Sequence, residues 1–151
     1  VINLRLAEPI DINSYFNWAN EDSVRNVSFN SEKITYQDHQ VWFEKQLNDE
    51  NCFMYVFYTH IDIGQVRIQK VTDNDAIINI SLVEKFRGKG YGVQMLTMST
   101  ELFRKSFPNI IINAYIKIEN IASKIVFEKS EFKLKDTLIY KNINSYHYIK
   151  A

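Results

Sequence analysis

Cysteine is nearly absent from this sequence. Cys52 stands alone, so no internal disulfide framework holds the chain together. It sits beside Phe53 in an apolar run, where a buried, inert thiol is expected rather than a nucleophile. Net charge is absent too: 18 basic residues balance 18 acidic ones. No global field therefore recruits nucleic acid or an anionic membrane surface. No apolar run reaches about 18 residues, the length of a spanning helix, and nothing resembles a signal peptide. Cytoplasm is the default expectation. His39, His60 and His147 lie far apart and show no ligand spacing, so no metal is expected. The chain begins at Val1 without a methionine, as expected of a trimmed chain or a piece of a longer polypeptide.

What is present is enough for one core. With 151 residues, 46% hydrophobic and 24% charged, the chain reads as a single globular domain spanning 1–151. No repeat, linker or low-complexity tract divides it. Glycine is scarce, yet three of the four glycines, Gly88, Gly90 and Gly92, fall together. Before them, Ile78, Ile80 and Leu82 alternate with Asn79 and Ser81, a period of two that predicts a strand with one buried face. After them, Val93, Leu96, Thr100 and Phe103 recur at helical spacing.

Strand, glycine-rich turn and helix together describe an anion cradle. Residues without a Cβ let the backbone turn sharply and approach a ligand. The first free N–H groups of the helix then point at that ligand from the positive end of its dipole. A phosphate or pyrophosphate is the natural guest, with Arg87 and Lys89 adding charge at the rim. Two familiar loops are excluded. There is no GxxxxGK[ST], and the spacing G-x-G-x-G differs from the dinucleotide fingerprint G-x-G-x-x-G. On spacing alone, a glycine-rich β–α turn with no ligand stays open.

In chain order, Ile2 to Leu6 alternates as a first strand, and Asp11 offers a cap for a helix carrying Ile12, Tyr15, Phe16 and Ala19. Glu21 to Glu32 reads as a polar loop with at most a short helical turn. Thr35 caps a helix running to about Leu47, with Asp38 as a weak capping-box partner. Strands follow at Cys52 to Tyr58 and Gly64 to Val71. The central helix ends before Pro108. Ile110 to Ile116 is a nearly continuous apolar run, as in a strand covered on both faces. A helix over Asn120 to Lys129 precedes closing antiparallel strands: Phe132 to Leu134, then Leu138 to Tyr140, with Tyr146 to Ile149.

Arg87-Gly88-Lys89-Gly90-Tyr91-Gly92 resembles the Q/R-x-x-G-x-G/A signature of the GNAT N-acetyltransferase superfamily. Asn120-Ile121-Ala122-Ser123, followed by Phe127-Glu128-Lys129 and Phe132, resembles that family's next block. Both blocks have the family's order and spacing, and the resemblance extends over nearly the whole chain. It implies an α/β (α+β) GNAT fold with a mixed central sheet of about seven strands flanked by about four helices. Two central strands splay to form the acetyl-CoA cleft. The resemblance places the pantetheine arm on backbone around Leu82 and Val83, and the pyrophosphate on Arg87, Gly88, Lys89, Gly90, Tyr91 and Gly92. Asn120, Ser123 and Phe127 would meet the cofactor farther along. The cosubstrate is acetyl-CoA, and the chemistry is acetyl transfer to an amine. Such a site needs a base for the ammonium proton, a donor for the leaving sulfur and N–H groups at the oxyanion.

The acid–base positions depart from the family pattern. Phe127 stands where many members place a Tyr general acid, and Tyr115 where ribosomal-protein N-terminal acetyltransferases place a Glu base. Glu131 replaces the usual Gly before the motif's Phe132. A phenol near pKa 10 is mostly protonated at neutral pH, so Tyr115 is expected to hydrogen-bond rather than act as a classical base. Asn26 to Asn30, Ile34, His39, Trp42 and Phe43 resemble acetyltransferases of nucleotide-linked 4-amino-sugars of the pseudaminic acid type. His39 is then a second candidate catalytic residue, in the acceptor pocket, although a histidine on the inner side of a helix is more often a satisfied packing residue. Three functions follow as alternatives: an N-acetyltransferase of a small amine, best a nucleotide-linked amino-sugar; an N-terminal protein acetyltransferase; or a catalytically degenerate acyl-CoA-binding module. The expected partners are the small-molecule acceptor and, in a homodimer, a second copy.

Overall fold

A computed structural model describes residues 1–151. Strand β1 (Asn3–Leu6) leads into helices α1 (Ile12–Asn20), α2 (Asp22–Val27) and α3 (Tyr36–Leu47). An antiparallel run of β2 (Cys52–Tyr58), β3 (Asp62–Lys70) and β4 (Asp75–Leu82) follows. The chain then alternates through α4 (Tyr91–Ser106), β5 (Ile111–Lys117) and α5 (Ile121–Lys129), and closes with the hairpin β6 (Lys133–Tyr140) and β7 (Ile143–Lys150). The seven strands make one mixed sheet in the order β1-β2-β3-β4-β5-β7-β6.

Strand alternation sorts the side chains onto two faces. Val66 and Ile68 of β3, Ala76 and Ile78 of β4, and Ile112, Ala114 and Ile116 of β5 join the main core with Met95, Leu96 and Phe103 of α4 and Phe127 of α5. The stripe Gly92, Met95, Leu96, Ser99, Thr100 and Phe103 of α4 is buried at helical spacing. Its two hydroxyls are satisfied within the helix: Ser99 donates to Met95 O at 2.8 Å and Thr100 to Leu96 O at 2.7 Å. The opposite face of the sheet meets α1 and α3 through a smaller cluster of Tyr15, Trp18, Phe43, Met54 and Val56. No helix is long and apolar enough to cross a membrane.

The structure departs from the sequence reading at four places. Five α-helices form rather than about four, because the polar stretch after Glu21 coils into the six-residue α2. None of its residues is buried, so hydrophobic periodicity carried no trace of it; Arg25 holds the turn that follows through Asn30 O at 2.9 Å. Asp11 does not cap α1 with its side chain: it is buried, takes a two-pronged ion pair from Arg5 at 2.8 Å, and accepts the Glu8 N–H in a capping box on the single turn Pro9–Asp11 before α1. Thr35 caps α3 by accepting from Asp38 N–H, with no return bond from Asp38. Finally, the two short pieces at 132–134 and 138–140 are one strand, β6, continuous through Lys135 to Thr137. It is an exposed edge strand, where polar residues face solvent without cost.

Two turns use the left-handed region. Lys141 (φ 48°) and Asn142 (φ 66°) form the two-residue loop between Tyr140 and Ile143, the geometry that suits hairpin twist. Glu131, at the position where the resemblance expects Gly, has φ 68° and so performs the glycine's turn at a steric cost.

Candidate active site

The parallel pairing of β4 with β5 is brief: Asp75↔Ile111, Ala76↔Ile112 and Ile77↔Asn113. Beyond it, β4 stays paired with β3 as far as Leu82↔Gly64, and β5 stays paired with β7 as far as Lys117↔Ser145. The two strands therefore part, and each leaves a free edge. Ile111 N–H donates to Asn74 O at 2.9 Å, which fixes the direction of the even-numbered residues of β4. Alternation then turns the main-chain groups of Ile78, Ile80 and Leu82 into the gap, and those of Tyr115 and Lys117 toward them from β5. Val83 is turned the other way. Its N–H donates to Ile63 O at 2.8 Å and its carbonyl accepts from Phe86 N–H at 2.9 Å. The free edge is thus Ile78, Ile80 and the Leu82 N–H, because the Leu82 carbonyl accepts from Arg87 Nε at 2.9 Å and both main-chain groups of Val83 are engaged.

Gly64 sets β3 close against this edge. A Cβ there would lie 2.3 Å from Ser81 O, so no other residue fits.

The gap opens at the head of α4. From Gly88 to Val93 no backbone N–H donates to a main-chain carbonyl; the first that does is Gln94, to Gly90 O at 3.3 Å. Six successive donors thus line one curved turn. Gly88 (φ 75°) and Gly90 (φ 83°) make the curve, and both face open space where a Cβ would sit. Unpaired donors at a helix N-terminus form an anion site, and an open strand edge suits an amide-bearing arm. These two features fit a thioester cofactor carrying a pyrophosphate.

The predicted cofactor residues divide. Gly88, Gly90 and Gly92 build the cradle, exposed Lys89 stands at its rim, and Tyr91 packs its ring against Phe86 at 6.0 Å. Arg87 does not hold its guanidinium free for phosphate. It donates to Leu82 O at 2.9 Å and Ser23 Oγ at 2.8 Å and pairs with Glu21 at 3.3 Å, clamping the end of β4 to α2. Asn120 caps α5 by accepting from Ser123 N–H at 3.3 Å. Phe127 is 3% exposed and packs edge-on against Phe132 at 5.0 Å, so its ring offers the cofactor no surface.

The far side of the gap carries a different chemistry. Ile112, Ala114 and Ile116 occupy the core, so Asn113, Tyr115 and Lys117 point to the opposite face, away from α4. There Tyr115 lies between two rings, stacked on Tyr140 at 4.1 Å and 4° and on His147 at 4.5 Å and 18°. Burial, then Tyr140 and Asp75, push its phenol above the ordinary 10. It is a donor, not a base. Phe29 closes on Tyr140 edge-to-face at 5.0 Å, and Lys117 Nζ donates to Ser28 O at 3.3 Å, so the chain after α2 is tied to β5 and β6.

His147 escaped the sequence reading. It faces Tyr115 across the β5–β7 register, and its Nε2 lies 2.7 Å from Asn113 Oδ1. Asn113 Nδ2 donates to Asp75 Oδ1 at 3.1 Å and Ala76 O at 3.0 Å, which fixes the amide with its oxygen toward the ring. The His147 proton therefore sits on Nε2, and Nδ1, which makes no hydrogen bond, carries the lone pair. Burial, then Lys135, hold the imidazole below the ordinary 6.5, against the pull of Asp136 and Asp75. It is neutral at pH 7. The only sequence signal was its place between Tyr146 and Tyr148 in an alternating strand.

His39 has no such freedom. Only 2% exposed, it stacks on Phe43 at 5.8 Å and donates from Nε2 to the Ile12 carbonyl at 2.9 Å. It joins α1 to α3, the packing role that its place on the inner side of the helix suggested. Cys52 is inert as expected: burial, against the pull of Arg67, pushes its thiol up to about 11.

Residues 2–133 match the model of the acetyltransferase (GNAT) domain family, and the chain belongs to that family. It is an acetyl-CoA-dependent N-acetyltransferase. No curated protein matches it in sequence. Among solved structures, spermidine N-acetyltransferase from Vibrio cholerae, in complex with CoA and spermine, superimposes with a TM-score of 0.87 at 15% identity, covering 99% of this chain and 94% of that one. Aminoglycoside acetyltransferase AAC(6')-Ib with coenzyme A gives 0.84 at 18% identity, with 99% and 94% covered. A domain from Methanocaldococcus jannaschii gives 0.85 at 19% identity, with 99% and 97% covered.

Proposed function

We propose that this protein acetylates a primary amine of a small molecule, with a nucleotide-linked amino-sugar as the particular acceptor. The observation that carries the reading is the gap between β4 and β5, which joins the anion cradle on one face of the sheet to the Tyr140–Tyr115–His147 stack on the other. Acetyl-CoA, bound along the free edge of β4, supplies the activated acetyl group. The acceptor amine then approaches from the stack side. Neutral His147 accepts the ammonium proton on Nδ1, directly or through one water, while Asn113 holds the ring's tautomer. The Tyr115 hydroxyl makes no hydrogen bond within the fold and serves as a donor to the acceptor or to the departing sulfur.

Three features support a small acceptor bearing a sugar. Phe29 and Tyr140 form an aromatic wall of the kind that sugar rings and bases pack against, with Tyr115 stacked behind Tyr140. The contacts of Ser28 and Phe29 with β5 and β6 close the groove in which a peptide N-terminus would otherwise lie. Spermine and aminoglycosides, the amines bound by structural neighbours, are polycations, whereas Arg67 on this face has no anionic partner.

The test is release of the coenzyme A thiol across amino-sugar nucleotides, polyamines, aminoglycosides and N-terminal peptides. Turnover of an amino-sugar nucleotide without turnover of peptides is expected. Turnover confined to peptides would replace the reading by an N-terminal protein acetyltransferase. Tight acetyl-CoA binding with no amine turned over would make the chain a binding module.

A further inference from the structure

Arg67 is a charge without a counter-charge. It lies on the same face of β3 as Gln65 and Gln69, opposite Val66 and Ile68 of the core. Its cross-strand neighbours are Met54 on β2 and Asn79 on β4. Met54 is covered by Tyr15 and Phe43 of the small cluster, so Arg67 stands where the cover of α1 and α3 meets the side of β4 that borders the gap. Its guanidinium lies 5.0 Å over the ring of Trp42 and makes neither an ion pair nor a hydrogen bond. Every other arginine of the chain has a hydrogen-bonding partner: Arg5 on Asp11, Arg25 on Asn30, Arg87 on Glu21 and Ser23, and Arg104 on two carbonyls.

Two orphaned polar atoms accompany it. The Tyr15 hydroxyl is buried with no partner, and so is Oε1 of Gln65, two residues along the same face. After burial, Asp11 and then Arg67 act on the Tyr15 phenol, and Cys52 and then Tyr15 on the Arg67 guanidinium, with the Asp11 carboxylate itself held by Arg5. Gln65 Nε2 is occupied, donating to Asn79 Oδ1 and Ser81 Oγ at 3.1 Å each. A half-buried guanidinium without a partner is costly, and stacking on an indole offsets only part of that cost. A planar fork of donors beside a free hydroxyl matches a carboxylate or a phosphate. Gln65 Oε1 would take an N–H or O–H of the same molecule.

We propose that Arg67 and the Tyr15 hydroxyl form an oxyanion subsite on the acceptor side of the β4–β5 gap, so that the amine acetylated here belongs to a molecule also bearing a carboxylate or phosphate. The proposal rests on the acetyl-transfer reading and narrows it to anionic acceptors.

The experiment compares amines matched but for the anion: O-phosphoethanolamine with ethanolamine, γ-aminobutyrate with butylamine, and glucosamine 6-phosphate with glucosamine. Thiol release is measured for wild type, Arg67→Gln and Arg67→Lys. The anionic member of at least one pair should have a kcat/KM at least tenfold higher, expressed in KM, and the pair that shows it tells phosphate from carboxylate. Arg67→Gln should collapse that ratio to near unity, and Arg67→Lys should restore part of it. Equal rates within every pair, or an Arg67→Gln variant that slows both members alike, would overturn the subsite. A second readout separates its failure from that of acetyl transfer. With Trp18→Phe, Trp42 is the sole indole, because the chain has two tryptophans. O-phosphoethanolamine should then perturb Trp42 fluorescence saturably in coenzyme A-loaded protein, and not in its Arg67→Gln form, even if no amine is turned over. No saturable change with any of the three anionic amines would contradict the subsite regardless of turnover.

Discussion

At the scale of single residues, the site depends on groups that burial has adjusted. Two histidines are packed as neutral rings: burial lowers His39, with the Ile12 carbonyl pulling it partly back, and burial then Lys135 lower His147. In the unfolded chain the imidazoles regain their ordinary 6.5 and bind protons that the fold refuses. Between the ordinary and depressed values the unfolded state therefore holds more protons, and stability rises with pH. This contribution is complete above 6.5 and is lost as pH falls through the depressed values. The urea midpoint is expected to drop between about pH 7.5 and about pH 5.5, and to drop less in the double variant His39→Gln/His147→Gln. Equal drops would mean that neither ring is held neutral. The sequence exposed part of this layer. Tyr115 was visible because it occupies a motif position; His147 was not, because it meets Tyr115 only across the β5–β7 register, a long-range pairing that no local pattern encodes. His39 showed its helix face, but not that Ile12 would use its one available proton.

At the scale of elements, strand β4, the glycine turn and α4 build the free edge and the anion cradle. They were legible in full, because each signal is local: a period of two, three glycines and a helical stripe. The same holds for Thr35 as the cap of α3 and for Pro108 as the stop of α4. Arg87 was not legible in this way. Its sequence place at the turn suggested phosphate, while Glu21 and Ser23, distant in sequence, capture its guanidinium. The cradle itself gives a sharp test. Gly90→Ala puts a methyl group into the open face of the turn, where the anion must sit, and strains a residue at φ 83° by about 1 kcal/mol. Coenzyme A affinity, measured by calorimetry, should fall at least tenfold, which is about 1.4 kcal/mol. Thermal unfolding should show a variant still folded. Unchanged affinity in such a variant would remove the anion from the cradle.

For the whole molecule, the decisive feature is a sheet that comes apart in the middle. β4 and β5 share three register pairs and then separate, each held by its outer neighbour. Seven strands in mixed order follow from element types and resemblance, but the place of parting does not, since it depends on which residue pairs fail to meet. The gap joins two surfaces of different character: unpaired N–H groups and glycines on the α4 side, stacked rings and a free guanidinium on the other. Acetyl transfer at this junction, with His147 as proton acceptor, is the central claim. The most direct measurement is kcat against pH at saturating acceptor for wild type, Tyr115→Phe and His147→Gln. Glutamine is chosen because its amide N–H reproduces the bond to Asn113. Wild type should lose activity along an acid limb whose midpoint lies below the ordinary imidazole value of 6.5. Tyr115→Phe should lower the plateau about tenfold without moving that limb, and His147→Gln should lower it about a hundredfold and abolish the limb. An acid limb and a plateau that survive unchanged in His147→Gln would contradict the account.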